Sequence, residues 1–372
     1  MKITSIEAVP VRLRRDLSAA TGTAGSPTPL APGAGDYRWS QVYPCLYSVN
    51  IETALVRIAT DAGIEGWGEA QAPLLPEAAC VIIDRLLSPW LIGTELDGTA
   101  ERIAALWERM YATMRVRGQT GGFMIDAISA IDIALWDLAG KSRGLPVCEL
   151  LCDAPKRTIP AYLSGLPAGS SDTLGFDKVK LFYDTTTADE FWPRMDAVKD
   201  ARVAVDALWR HTPESALAFG RELDARGALW FEAPLPPEDP QAHGELAARL
   251  ATPIALGESY RTRYEMAPFF RARALSVYQP DLGRCGITEG MRLAGMAVAS
   301  GATVVPHISI ALGPQVAAAL HFAAAAPGCN LAEYNPRVLE VANSFLEEPI
   351  RLEGANYVTP RGPGLGIGVR MP

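Results

Sequence analysis

Histidine is scarce in this chain: four occur in 372 residues, at positions 211, 243, 307 and 321. Chemistry that needs an imidazole therefore has few candidates. Cysteine is sparse as well. The six, at 45, 80, 148, 152, 285 and 329, make no CxxC pair and no dense framework, so they read as reduced thiols in a cytoplasmic protein. Positive charge is in deficit, 34 Lys and Arg against 42 Asp and Glu, for a net charge of −8. That balance disfavours nucleic acid and anionic membrane as partners. No apolar run reaches membrane-spanning length. The opening, Met1-Lys2-Ile3-Thr4-Ser5-Ile6-Glu7-Ala8-Val9, alternates like a strand and has no signal-peptide core. What is present, 49% hydrophobic and 20% charged residues, is enough to bury a large core.

A period runs through the chain from Lys178 to Glu333. Arg202-Val203-Ala204-Val205-Asp206, Ala228-Leu229-Trp230-Phe231-Glu232 and Ile254-Ala255-Leu256-Gly257-Glu258 are apolar runs that each end in a carboxylate, with 26 residues from one acid to the next. Their lack of polar alternation predicts parallel strands covered on both faces. Helix-like segments such as Pro213 to Arg226 and Pro240 to Leu250 supply crossovers between them. Asp177 to Phe182, Leu275 to Asp281, Ala302 to His307 and Cys329 to Tyr334 extend the same unit on both sides. Repeated βα units with right-handed crossovers close into a barrel, and chemistry in a barrel sits at the C-terminal strand ends.

A barrel takes about 250 residues, which leaves about 120 for a second unit. Residues 1–13 and 46–70 read as strands of a small antiparallel sheet, with a turn at Asp61-Ala62-Gly63. From Pro76 to Thr113 the apolar spacing is helical. Between the first strands, Asp16 to Pro44 is rich in Ala, Gly, Pro, Thr and Ser, the composition of a surface loop or of an active-site lid.

Three strand-ending acids carry the first chemical argument. Any one of Asp206, Glu232 and Glu258 could cap the next helix or face solvent. All three in register predict hard oxygen ligands converging at the barrel mouth, a set that suits Mg²⁺. Lys178 and Lys180, two apart, share one face of their strand. Inside a closed barrel two ammonium groups repel, which lowers the pKa of one and makes a neutral lysine base accessible. A single His is more often structural than catalytic. His307, however, follows Val304-Val305-Pro306 at a strand end, and Asp281 ends the strand before it, placed to bond one ring nitrogen and fix the tautomer.

Gly66-Trp67-Gly68-Glu69, the helix from Ala127 to Lys141 with Gly144-Leu145-Pro146 after it, and Gly362-Pro363-Gly364-Leu365-Gly366-Ile367 complete a pattern that covers nearly the whole chain. It resembles the enolase superfamily, in particular its mandelate racemase subgroup. The resemblance implies an α/β protein: a modified (β/α)7β TIM-type barrel over residues 126–340, and an N-terminal α+β capping domain over 1–125 to which the tail, 341–372, returns. It assigns Asp206, Glu232 and Glu258 to Mg²⁺. Its Lys-x-Lys pattern makes Lys180 a base, with Lys178 tuning it and touching the substrate carboxylate. Glu333 would hydrogen-bond that carboxylate as it becomes an enolate. A homo-oligomer acting on a small carboxylate such as a sugar acid is expected.

Lys180 and His307, on strands on opposite sides of the mouth, would then address opposite faces of the alpha carbon. One removes the proton; the other returns one or protonates a leaving β-hydroxyl, with the enediolate stabilised electrostatically. The expected reaction is dehydration of a sugar acid to a 2-keto-3-deoxy acid. A racemase, epimerase or lactone cycloisomerase is the alternative in the family, and a non-catalytic metabolite-binding protein the alternative outside it. A barrel phosphatase or hydrolase leaves the Lys-x-Lys strand without a role. Two departures from the family pattern, Asp206-Ala207-Leu208 for Asp-x-Asn and Glu232-Ala233-Pro234 for Glu-Glu-Pro, point to an altered substrate. Specificity is expected in the loop from Asp16 to Pro44 and near Arg115 to Thr120.

Overall fold

The structure, a computed structural model, describes residues 1–14, 31–40, 45–166, 170–183 and 188–370. The chain opens with β1 (Ile3–Arg14), β2 (Tyr37–Trp39), β3 (Leu46–Ser48), β4 (Asn50–Thr60) and β5 (Glu65–Ala70). β1, β4 and β5 form an antiparallel sheet, and β2 pairs with β3 as a separate hairpin. Of the stretch read as loop or lid, residues 31–40 are described, and β2 lies in them. Its Tyr37 hydroxyl donates to buried Glu52 at 2.9 Å and accepts from the Leu75 amide at 3.0 Å, which docks it on the sheet. Residues 16–30 and 41–44 lie outside the described residues.

Helices follow: α1 (Pro76–Ile82), a π turn over Ile83–Leu87, α2 (Ser88–Leu91), α3 (Ala100–Arg115) and α4 (Phe123–Arg143). The helical spacing read from Pro76 to Thr113 is thus interrupted. Gly93 and Gly98, both at positive φ, break the chain before Thr99 caps α3. Residues 115–120 form an exposed end to α3.

β5 lies directly on α4, and glycine makes that approach possible. A Cβ on Gly68 would stand 1.9 Å from the Ala130 carbonyl oxygen. Gly68→Ala must force the two elements apart and is expected to cost about 1–3 kcal/mol, read as a lowered urea midpoint. An unchanged midpoint would contradict this packing. Buried Asp137 on α4 ties the family-like segments together, accepting from the Trp67 amide at 2.8 Å, the Leu365 amide at 2.8 Å and Lys141 Nζ at 2.7 Å.

After α5 (Val147–Leu151) comes the barrel: β6 (Thr158–Ser164), β7 (Lys178–Phe182), α6 (Ala188–Ala197), β8 (Arg202–Asp206), α7 (Pro213–Arg226), β9 (Phe231–Glu232), α8 (Pro240–Ala247), β10 (Ile254–Leu256), α9 (Arg263–Arg271), β11 (Val277–Tyr278), α10 (Leu282–Ala299), β12 (Thr303–Val304), α11 (Pro314–Ala325), β13 (Ala332–Tyr334) and α12 (Pro336–Ser344). β6 through β12 pair in parallel in sequence order. β13 pairs with β6, and a Val304–Cys329 bridge links it to β12, so the barrel closes. Its β6–β7 connection carries no helix among the described residues. The crossover reading over Pro213–Arg226 matches α7, which starts on a Thr212 capping box and stops at left-handed Gly227. β14 (Leu352–Glu353) and β15 (Asn356–Val358) form a hairpin that pairs antiparallel with β6.

All six cysteines are free. Among the described residues no helix is long and apolar enough to cross a membrane.

Candidate active site

Strand alternation decides which side chains enter the barrel. Val203, Val205, Phe231, Ile254 and Leu256 face the helices. Tyr162, Ala204, Trp230, Ala255, Val277, Val305 and Leu331 fill the interior. Small Ala204 and Ala255 leave room for Tyr162 and Trp230, which meet edge to face at 5.0 Å and floor the site. Two residues further along the same strands, the interior positions become Asp206, Glu232, Gln279, His307 and Glu333. They form a polar layer at the C-terminal end.

Glu258 reaches this layer by a different route. Strict alternation would turn it outward with Leu256. Gly257 prevents that with a φ of +155°, and a Cβ there would lie 2.5 Å from the backbone of Gln279. Glu258 thereby turns into the mouth, where Trp209 Nε1 donates to its Oε1 at 3.3 Å.

Lys180 is the centre of charge. Its Nζ lies 2.8 Å from Glu232 Oε1, 2.9 Å from Glu333 Oε1 and 3.7 Å from Asp206 Oδ2, and none of these side chains is more than 3% exposed. Burial works against the ammonium, but Glu232 and Glu333 outweigh it and raise the Lys180 pKa well above its ordinary value. Lys180 thus pairs with these carboxylates as a cation and hydrogen-bond donor. The other oxygen of Glu232 accepts from Trp230 Nε1 at 2.9 Å and Gln279 Nε2 at 2.7 Å. Asp206 feels the opposite pressure. Burial, and after it the charge of Glu232, pushes its carboxyl well above the usual range, with Glu258 adding to the push.

His307 stands across the mouth. Its Nδ1 lies 2.8 Å from Asp281 Oδ2 and its Nε2 2.9 Å from Glu258 Oε2. Asp281 also caps α10, its Oδ1 accepting from the Gly283 amide at 2.9 Å and Gln315 Nε2 at 3.0 Å. With both oxygens in use as acceptors, Asp281 fixes the hydrogen of the ring on Nδ1. Burial opposes an imidazolium, yet Glu258 and Glu333 raise the His307 pKa well above its ordinary value. In turn Glu258, despite its burial, is drawn down to about 2 by His307.

Among the described residues no three His, Cys, Asp or Glu side chains form a ready cluster around a metal ion. Glu258 is turned to His307, and the Lys180 ammonium stands in as the cation beside Asp206 and Glu232. The donors themselves fit a hard divalent ion. They are three carboxylates at consecutive strand ends, and two of them drive the third towards protonation.

Two of the residues read from the sequence make contacts of another kind. Lys178 is not brought to the site. Its Nζ pairs with Asp177 at 2.6 Å, a residue whose side chain is 73% exposed. Two residues back along a strand sets its backbone about 6–7 Å from that of Lys180, towards the far end of the barrel. Glu333 lies in the buried cluster as an acceptor. Burial disfavours its charge, but Lys180 and His307 hold it ionised, below the usual range. Glu333 accepts from Lys180 and from the Ile308 amide, the latter at 2.8 Å, and so positions the ammonium.

Sequence reading missed Trp230, Gln279 and Gln315. The first two lie on the interior parity of strands already recognised, so the period-two count could have found them. Gln315, on α11, left no such signal.

A closed parallel barrel with an acid-lined mouth and a helix-backed antiparallel sheet beside it defines a barrel-enzyme architecture. Residues 169–372 match the family described as enolase C-terminal domain-like, and residues 47–152 match the mandelate racemase / muconate lactonizing enzyme N-terminal domain. The chain belongs to the enolase superfamily, in its mandelate racemase / muconate lactonizing enzyme family. It is 32% identical over 340 residues to the D-galactarolactone cycloisomerase of Agrobacterium fabrum, covering 84% of this chain and 88% of that one. It is 31% identical over 358 residues to the arabinonate dehydratase of Saccharolobus solfataricus, covering 91% and 94%. Among solved structures, a member of the enolase superfamily from Agrobacterium tumefaciens superposes with a TM-score of 0.89 at 29% identity, covering 99% of this chain and 96% of that one.

Proposed function

We propose that the protein is a Mg²⁺-dependent enzyme that removes the proton alpha to the carboxylate of a sugar acid and expels the β-hydroxyl, giving a 2-keto-3-deoxy acid. The observation that carries this reading is the His307–Asp281 dyad aimed across a mouth that also holds three strand-end carboxylates. Asp206, Glu232 and Glu258 would hold the ion. When bound, it supplies the positive charge that makes an alpha hydrogen beside a carboxylate acidic enough to remove.

This chain's own groups do the rest. With Glu258 among the residues that would hold the ion, His307 Nε2 would be left to face the substrate, its Nδ1–H donated to Asp281. Nε2 takes the alpha proton. Lys180, held by Glu333 and Glu232, donates to the oxyanion that develops on the substrate carboxylate. The imidazolium then protonates the departing β-oxygen, without which hydroxide would have to leave.

Ring opening of a sugar lactone is the second reading, supported by the similarity to a D-galactarolactone cycloisomerase. There the leaving group is already a carboxylate, and no acid is required. Incubating a panel of acid sugars and their lactones with Mg²⁺ tests the choice. Dehydration is expected to appear as semicarbazide-reactive 2-keto-3-deoxy acid, and ring opening alone by NMR selects the second reading. Chelation should abolish either activity, and added Mg²⁺ should restore it. Undiminished turnover in excess chelator would contradict the metal's role.

A further inference from the structure

The glycines of Gly66-Trp67-Gly68-Glu69 let β5 approach α4, and the acid that ends the run serves a different purpose. Resting on the reading just given, we propose that Glu69 is a positioning residue for proton transfer: from the antiparallel sheet it fixes the start of α11, and through Gln315 on α11 it fixes the Asp281 carboxylate against His307.

Glu69 is 0% exposed. Its Oε1 accepts from the Leu312 amide at 2.7 Å and from Thr53 Oγ1 at 3.0 Å, and its Oε2 accepts from the Gln315 amide at 3.1 Å. Leu312 and Gln315 stand on either side of the N-terminus of α11. The N-cap of that helix is Gly313, at a φ of +128°, and no side chain of its own segment caps it. A helix opens with unpaired amides and a partial positive charge, so it needs an acceptor there and favours an anionic one. Glu69 supplies that oxygen from another domain.

α11 in turn reaches the dyad. The backbones of Asp281 and His307 are neighbours through a parallel bridge, with the His307 amide on the Pro280 carbonyl at 2.9 Å. That pairing leaves open the rotation of the Asp281 carboxylate. Gln315, 1% exposed, donates Nε2 to Asp281 Oδ1 at 3.0 Å beside the Gly283 amide at 2.9 Å, which leaves Oδ2 for His307 Nδ1. Gln71 tightens the same junction. Its Nε2 donates to Ser309 Oγ at 2.6 Å and its amide to the Gly283 carbonyl at 2.9 Å. The stretch from Glu69 to Gln71 therefore holds both the segment that follows His307 and the turn that follows Asp281. None of Glu69, Gln71 and Gln315 is among the groups proposed to hold the ion or to touch the substrate.

Glu69→Gln and Gln315→Met, singly and together, test this, with kcat, KM and Mg²⁺ affinity measured on a sugar acid that the wild type turns over. An amide at residue 69 has one acceptor atom, so its NH₂ group faces either the Leu312 or the Gln315 amide and leaves it unpaired. Gln315→Met keeps the main-chain bond to Glu69 and removes only the donation to Asp281. Each single variant should lower kcat by about tenfold to 10²-fold, the size of a small misplacement of a reacting group, with KM and Mg²⁺ affinity within about twofold of wild type. Because Glu69 acts through Gln315, the double variant should be no slower than the slower single one. Should E69Q not fold, Glu69→Asp, which keeps the charge and withdraws it by one methylene, takes its place with the same expected loss. A kcat near wild type in the variant at 69 overturns the role of Glu69. A kcat near wild type in Q315M, or losses that multiply in the double variant, overturns the route through Gln315. A fall in Mg²⁺ affinity or a rise in KM as large as the loss in kcat shows a general loosening of the mouth and overturns the proposal as well. No exchange or turnover of any acid by the wild type would instead overturn the alpha-proton reading on which the proposal rests.

Discussion

Glu232→Gln is expected to lose Mg²⁺ binding and turnover together. Three donors converge on the two oxygens of Glu232: Lys180 Nζ at 2.8 Å on one, Trp230 Nε1 at 2.9 Å and Gln279 Nε2 at 2.7 Å on the other. An amide has one acceptor atom, so it must turn its NH₂ group onto at least one of these donors. The substitution also removes one of the three negative charges proposed to hold the ion. Changing residues that merely orient metal ligands costs about 10–100-fold in affinity, so removing a ligand should cost at least about 100-fold. Calorimetric titration with Mg²⁺ beside kcat on the same preparation reads both. Wild-type Mg²⁺ affinity in this variant would contradict the assignment of Glu232.

The second large effect separates proton transfer from metal binding. Asp281→Asn should cut kcat by about 10⁴-fold, the size expected when an imidazole is locked in the wrong tautomer. The lock follows from the surroundings. The Gly283 amide and Gln315 Nε2 both donate to Asp281 Oδ1, so the asparagine carbonyl takes that place and its NH₂ faces His307 Nδ1. Nδ1 must then accept, the ring hydrogen moves to Nε2, and Nε2 has no lone pair for a substrate proton. Asp281 is not among the proposed ligands, so Mg²⁺ affinity should stay near wild type. A kcat within tenfold of wild type would show that the tautomer is set elsewhere.

Much of the barrel was legible because its strands are covered on both faces, which leaves unbroken apolar runs, and because βα repeats space the strand-ending acids evenly. Asp206, Glu232, His307, Asp281 and Glu333 follow from that period with strand parity. Glu258 reaches the mouth by a route that the period alone does not give. Simple alternation would send it outward, and the conformation of Gly257 is what brings it in. Lys178 could not be told from Lys180 by parity, because a shift of two residues preserves it. Both lysines share the interior face, yet only pairing β7 against β8 shows that Lys180 and Phe182 are the upper pair and Lys178 the lower. The raised pKa of Lys180 was out of reach from sequence, since it depends on Glu232 and Glu333 arriving from distant strands. Gln315 was equally out of reach, set on α11 with no periodic signal to mark what it touches.

The central claim is that this mouth makes the hydrogen alpha to a carboxylate exchangeable. The most direct measurement is the alpha-proton signal of sugar acids in D₂O, followed by ¹H NMR with the purified protein, with and without Mg²⁺. The account predicts that for at least one acid the signal disappears, by exchange or by elimination, only when both protein and Mg²⁺ are present. Alpha-proton signals that persist unchanged across the panel with Mg²⁺ bound would contradict it.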